Sequence, residues 1–215
     1  MADVQSTLFS QLGGETQYGV LLVAQMGGVP NEIQLIVETA AYDAAVEGLR
    51  PVADYLIRAL GVFEHRLTLG VFAHGVLTQD HPLLLHHNAP RAAVHFDGQP
   101  ADVHALITDI SQAYVSTFLE WRNLVEMPED LNRALPLVDL LTRGTGLLGT
   151  MPLPLAERMA RVLEHHGLHA SLSQQANFEP RDEHGRSRLA KVLVLDSSYV
   201  VSLDFSFERL GQGRA

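Results

Sequence analysis

Apolar positions near the start of the chain fall in two β-rich runs, 18–26 and 33–37. The cluster Gly27-Gly28-Val29-Pro30-Asn31 between them reads as the turn of a hairpin. A short helix over 3–12, stopped by Gly13-Gly14, precedes the first run. Pro51 suits the first position of a helix, and Leu49, Val52, Leu56 and Ala59 recur at helical spacing, so a helix ending at Gly61 is expected there. Three strands are expected next, over 64–72, 83–87 and 92–96, the first with Leu67, Leu69 and Val71 alternating against Arg66 and Thr68. Val103, Ile107, Ile110, Tyr114, Phe118 and Trp121 then mark the apolar stripe of a long helix entered near Pro100. Helices are expected again over about 130–143 and 154–166. Strands over 189–195, apolar on both faces, and 199–207, apolar on one, close the chain around the turn Asp196-Ser197-Ser198.

Strands joined by hairpins imply an antiparallel sheet, and the predicted fold class is α+β, with that sheet packed against helices. The arrangement is one large domain or two closely packed subdomains. The segment 123–130, with Met127-Pro128, serves as the candidate linker, separating an α+β part (1–125) from a helical pair with a terminal β-hairpin (126–215). The order helix, three strands, helix over 50–121, followed by later strands, resembles that of type III secretion chaperones and the related YbjN-like bacterial proteins. The resemblance covers about half the chain and rests on element order without a shared motif, so it carries over no functional residue. It implies a usually dimeric helix–sheet sandwich that binds client protein segments without catalysis. The hairpin at 18–37, the helices at 130–166 and the lack of a closing helix after Phe207 depart from that pattern.

Composition narrows the chemistry. Hydrophobic residues fill 47% of the 215 positions, enough for a substantial core. No cysteine is present, which excludes disulfides, thiolate zinc sites and cysteine nucleophiles. The formal charge of −10 repels phosphate backbones, and the one basic stretch, 181–191, is offset by Glu179, Asp182 and Glu183, so direct nucleic-acid binding is not expected. An acidic surface suits a basic protein partner. The apolar run 20–24 is too short to cross a bilayer, no basic leader precedes an apolar stretch, and a cytoplasmic protein without membrane contact is expected.

One string has the spacing of a dinucleotide fingerprint: Gly144, Gly146 and Gly149 in Gly-Thr-Gly-Leu-Leu-Gly. The fingerprint needs a strand before it and a helix opening on its last glycine. Here 137–143 reads as a helix and Met151-Pro152 follows, so a plain helix–loop–helix connection is the preferred reading. Eleven histidines offer a second possibility. If 83–87 and 92–96 form a hairpin, His86 and His95 become diagonal neighbours on its exposed face, two of the ligands a metal would need, with Asp80, His74 or His81 as possible thirds. No helical His-x-x-x-His pair supports such a site. His165, His166 and His169 sit beside Gly167 at a helix end, where capping explains them. Asp196, Ser197 and Ser198 lack the strand-to-helix turn of a serine nucleophile, and Glu129 with Asp130 reads as the acidic first turn of a helix.

The expected function is therefore non-enzymatic: a protein-binding, chaperone-like role in a homodimer, without cofactor. Tyr114 and Trp121 on the long helix, and Phe205 and Phe207 on the last strand, are the candidate interface anchors. The alternative is a metal- or nucleotide-binding enzyme or sensor built on the histidine hairpin or the glycine loop. The histidines also make charge pH-dependent. Protonating all eleven would carry the formal charge from −10 to just past neutrality. Light scattering should rise as pH falls from neutrality toward the isoelectric point of about 5.5, and a flat trace would contradict this.

Overall fold

The computed structural model describes residues 3–174 and 189–212. Strands account for 46% of it and helices for 29%. This overturns the α+β expectation of a sheet packed against helices. The protein is mostly β, with a curled seven-stranded antiparallel half-barrel and a second, three-stranded sheet. The chain opens with α1 (Val4–Gln11), β1 (Gln17–Met26), β2 (Glu32–Asp43), β3 (Gly48–Arg66), β4 (Gly70–Phe72) and β5 (Gly75–Thr78). A 3-10 turn (Pro82–Leu84) leads into α2 (Leu85–Asn88), then β6 (Arg91–Asp97), α3 (Val103–Phe118) and α4 (Leu137–Thr142). β7 (Thr145–Pro152), α5 (Leu153–His165), β8 (His169–Gln174), β9 (Lys191–Leu195) and β10 (Ser198–Gln212) complete it. Two compact units result, Met1–Gln79 with Ala190–Ala215, and Asp80–Leu189, so residue 125 lies inside the second.

The first unit has strand order β4-β1-β2-β3-β10-β9-β5. The segment expected as a helix over 51–60 is the middle of β3. A helical stripe and a strand alternation compete there, and the alternation wins. Ala53, Tyr55, Ile57 and Ala59 are fully buried, while Leu49 and Val52 of the supposed stripe are exposed. Pro51 costs the sheet little because the register shifts beside it: Thr39 pairs with Ala53 and Ala40 with Pro51, leaving Val52 as an extra residue. One face of the sheet carries the core, in which Leu35, Val37, Tyr55, Ile57 and Val200 pack with Leu8 of α1 and with Leu12, which caps its C-terminal end. Gln11 ties this helix to the sheet. Its Oε1 accepts hydrogen bonds from the Thr39 hydroxyl and the Tyr55 phenol, both at 2.9 Å. Burial raises the Tyr55 pKa, keeping the phenol a donor.

The second unit is built around β6, which pairs antiparallel with β7 on one side and β8 on the other. β7 and β8 therefore run parallel, and α5 is the crossover between them. Val94, Phe96, Ile110, Tyr114, Phe118, Met151, Met159 and Leu163 form its core. The strand expected over 83–87 is helical instead. His81 Nδ1 accepts from the Leu83 amide at 3.3 Å and Pro82 opens the turn, a pairing of N-cap and proline that starts a helix. Burial lowers the His81 pKa, against the opposing pull of Glu120 and Asp80, which keeps that nitrogen available as an acceptor. The helix expected over 130–143 is reduced to α4, and β5, β7 and β8 were not anticipated.

Both long helices of this unit are terminated by local chemistry. The Asp102 carboxylate accepts from the Ala105 and His104 amides at 3.0 and 2.9 Å, and these bonds hold its pKa below the usual value. At the end of α5, the Gly167 amide donates to Glu164 O and that of Leu168 to Leu163 O, with Gly167 at φ +80°. In the first unit, Gln11→Ala should lower the unfolding free energy by about 1–3 kcal/mol, because it strands the buried Tyr55 hydroxyl and leaves that of Thr39 only the Ala53 carbonyl at 3.3 Å. Tyr55→Phe should then cost less in that background than in the wild type, which a urea-denaturation mutant cycle would measure.

Candidate functional site

The residues singled out from sequence are placed as follows. Tyr114 is 1% exposed and belongs to the core of the second unit. Trp121 is half-buried beyond α3, edge-on to His81 with ring centroids 4.8 Å apart. Phe205 and Phe207 are half-buried on β10 and pack against the core of the first unit, Phe207 edge-on to Phe9 at 6.0 Å. His86 lies on α2, whereas His95 is exposed on β6 opposite Leu147 and Ser171, so the hairpin that would have joined them does not form. Among the described residues no group of three or more His, Asp or Glu side chains is arranged to hold a metal ion.

The glycines do not form a phosphate cradle between a strand and a helix. They follow α4 and run into β7. Gly144 ends α4 at φ +79°, Gly146 pairs with Phe96, and Gly149 passes the Asp130–Leu131 backbone so closely that a Cβ would collide with it. Asp196 and Ser198, also weighed from sequence, bind backbone. The Asp196 carboxylate accepts from the Ala73 and His74 amides at 2.8 and 2.9 Å, and Ser198 Oγ from the Thr68 amide at 3.0 Å. Lys191 pairs with Asp204 at 2.9 Å, and the rest of the basic stretch 181–188 lies outside the described residues.

In the first unit, one stretch of β10 has a neighbouring strand on one side only among the described residues. β9 pairs with β10 only over Ser198–Ser202, whereas β3 accompanies β10 to Gln212. Among the described residues, 203–212 therefore have a partner strand on one side only. At about 3.3 Å per residue this stretch is roughly 30 Å long. Phe205 and Phe207 point toward the core side of this edge, in register with Ala59 and Ile57. Asp204, Ser206 and Glu208 alternate onto the other side, in register with Leu60, Arg58 and Leu56. Glu208 is 3.7 Å from Arg58. No proline interrupts the edge.

The second unit contains a buried polar cluster that the sequence disguised as an acidic first turn. Asp130 is 2% exposed. His86 Nε2 lies 3.0 and 2.9 Å from its two carboxylate oxygens, and Arg91 reaches it at 3.4 Å while also donating to Thr150 O. The His86 ring stacks on Phe118 at 5.1 Å, and Phe118 in turn contacts Tyr114 at 4.9 Å. Burial first, and then the Asp130 charge, push the Tyr114 pKa upward. His86 Nδ1 and the Tyr114 hydroxyl are buried without a hydrogen-bond partner among the described residues. A His–Asp pair of this kind can hold an imidazole for proton transfer, but Phe118 covers its face. Its evident work is structural, since the Asp130 carbonyl also accepts from the Thr150 amide at 3.0 Å and so docks 127–131 on β7.

The chain matches no family model, no curated protein and no solved structure. Asp130→Ala should destabilise the protein by about 3–5 kcal/mol in chemical denaturation, because it leaves His86 and Arg91 facing a buried void. Arg91→Gln should cost less, as that side chain is 32% exposed and its contact longer.

Proposed function

We propose that this protein binds an extended segment of another polypeptide by strand addition to β10, in a non-enzymatic, chaperone-like role. The observation that carries this reading is the one-sided pairing of residues 203–212. An added strand would hydrogen-bond to main-chain groups of 205–212 that no second described strand engages, and its alternating side chains would decide which segment fits. On the core side it would complete the cover over the half-buried Phe205 and Phe207. On the other side it would meet Asp204 and Glu208, in keeping with the acidic balance of the whole chain. The preferred segment thus alternates apolar residues with lysine or arginine. Self-pairing of β10 centred on Ser206 would instead set Asp204 of one copy opposite Glu208 of the other, like charges directly across the ladder.

A peptide alternating valine and lysine should bind the full chain and slow hydrogen exchange of backbone amides confined to 203–212. Glu208→Lys should weaken that binding by about tenfold, and a valine–glutamate peptide should not bind. Unchanged exchange at 203–212 under saturating peptide, or protection of those amides by a protein dimer without peptide, would overturn the proposal.

A further inference from the structure

The second unit carries a groove between α3 and α5 of about 350 Å³, independent of the strand edge. α3 contributes Asp109, Ala113 and Ser116, and α5 contributes Arg158, Arg161 and Val162. Ser116 faces Arg158 and Asp109 faces His166, so the helices run antiparallel, and seven residues of α3 make the groove about 10 Å long. Its ends differ in charge. At one end the Asp109 carboxylate is occupied by His166 Nε2 at 2.8 Å. At the other, Arg158 donates to Ser116 Oγ at 2.8 Å, and that hydroxyl lies 3.1 Å from the Ala113 carbonyl that takes its proton. The guanidinium is thus held in place by a neutral partner. Arg161, one turn further along α5, is exposed and makes no ion pair among the described residues.

Two arginines without a carboxylate partner among the described residues, one of them fixed by Ser116, stand here beside a small apolar floor, whereas Arg91, Arg122 and Lys191 each pair with a carboxylate. Guanidinium groups match the planar or tetrahedral oxygens of carboxylates and phosphates in bidentate geometry. Ala113 and Val162 offer dispersion contact to an apolar body next to that anion. We propose that this groove is a binding site for a small organic oxyanion, with Arg158 and Arg161 holding the charged group and Ala113 with Val162 beneath the apolar portion.

Phenyl phosphate and phenylacetate, titrated separately by calorimetry into the full chain at fixed ionic strength, test the proposal and distinguish its two chemistries. At least one should bind with a dissociation constant of about 1 mM or tighter, and the tighter of the two identifies a phosphate or a carboxylate site. R158Q and R161Q should each weaken binding by about tenfold without lowering the melting temperature, whereas R143Q, at an exposed arginine of the same unit, should leave it unchanged. Absence of binding by both compounds, or an equal loss in all three variants, would overturn the assignment.

Discussion

Every strand backbone must hydrogen-bond on both sides or face water, and this requirement organises the first unit. Between Ala53 and Leu60, β3 is flanked by β2 on one side and β10 on the other. Its inward side chains Ala53, Tyr55, Ile57 and Ala59 are fully buried, so the ladder and the core reinforce each other. β10 shares this support on one side throughout, but β9 leaves it after Ser202. Among the described residues, the sheet therefore changes within one strand from doubly paired to singly paired. The edge charges Asp204 and Glu208 have partners in Lys191 and Arg58 of the same unit. Charges usually protect an edge by making approach unfavourable. When those charges are partly compensated at home, that protection is weaker.

The second unit solves a different problem, that of a crossover around a short sheet. Placing β7 and β8 on opposite sides of β6 requires α5 to span the sheet, and its buried face Leu155, Ala156, Met159 and Leu163 covers it. The approach of 127–131 to β7 then demands Gly149, and Asp130 secures that approach through His86, Arg91 and Thr150. The glycine spacing that resembled nucleotide chemistry thus has separate causes at its ends: a left-handed helix terminus at Gly144 and a backbone crossing at Gly149.

Several elements were legible because one period dominated them. α1, β1, α3, α5 and the β9–β10 hairpin appear close to where apolar spacing and turn residues put them. β3 was misread because positions 49, 52, 56 and 59 fit a helix while 53, 55, 57 and 59 fit a strand, and only pairing with β2 and β10 decides between them. Pro51 reinforced the wrong choice, since the bulge that accommodates it leaves no local mark. β7 was hidden by its two glycines, which weaken any strand signal. Asp130 looked like a solvated acid because nothing in the chain around it announces His86, 44 residues away.

The groove arginines show the same limit from the other direction. Arg158, Arg161 and His165 follow helical spacing along one side of α5 and could be read from sequence as its wet face. What gives them chemical meaning is the antiparallel packing of α3, which brings Ser116 to Arg158 and lets His166 occupy Asp109. Without that second contact, Asp109 would be the nearest available anion along the groove, and the arginines would face a local counter-charge. Asp109 has a hydrogen-bond partner of its own at one end, while both arginines at the other lack a carboxylate partner among the described residues. A local positive field can persist in a chain of formal charge −10 because charged groups act over a Debye length of about 8 Å at physiological salt. The sign of a binding site is set by which side chains have already found partners, and total charge is a poor guide to it.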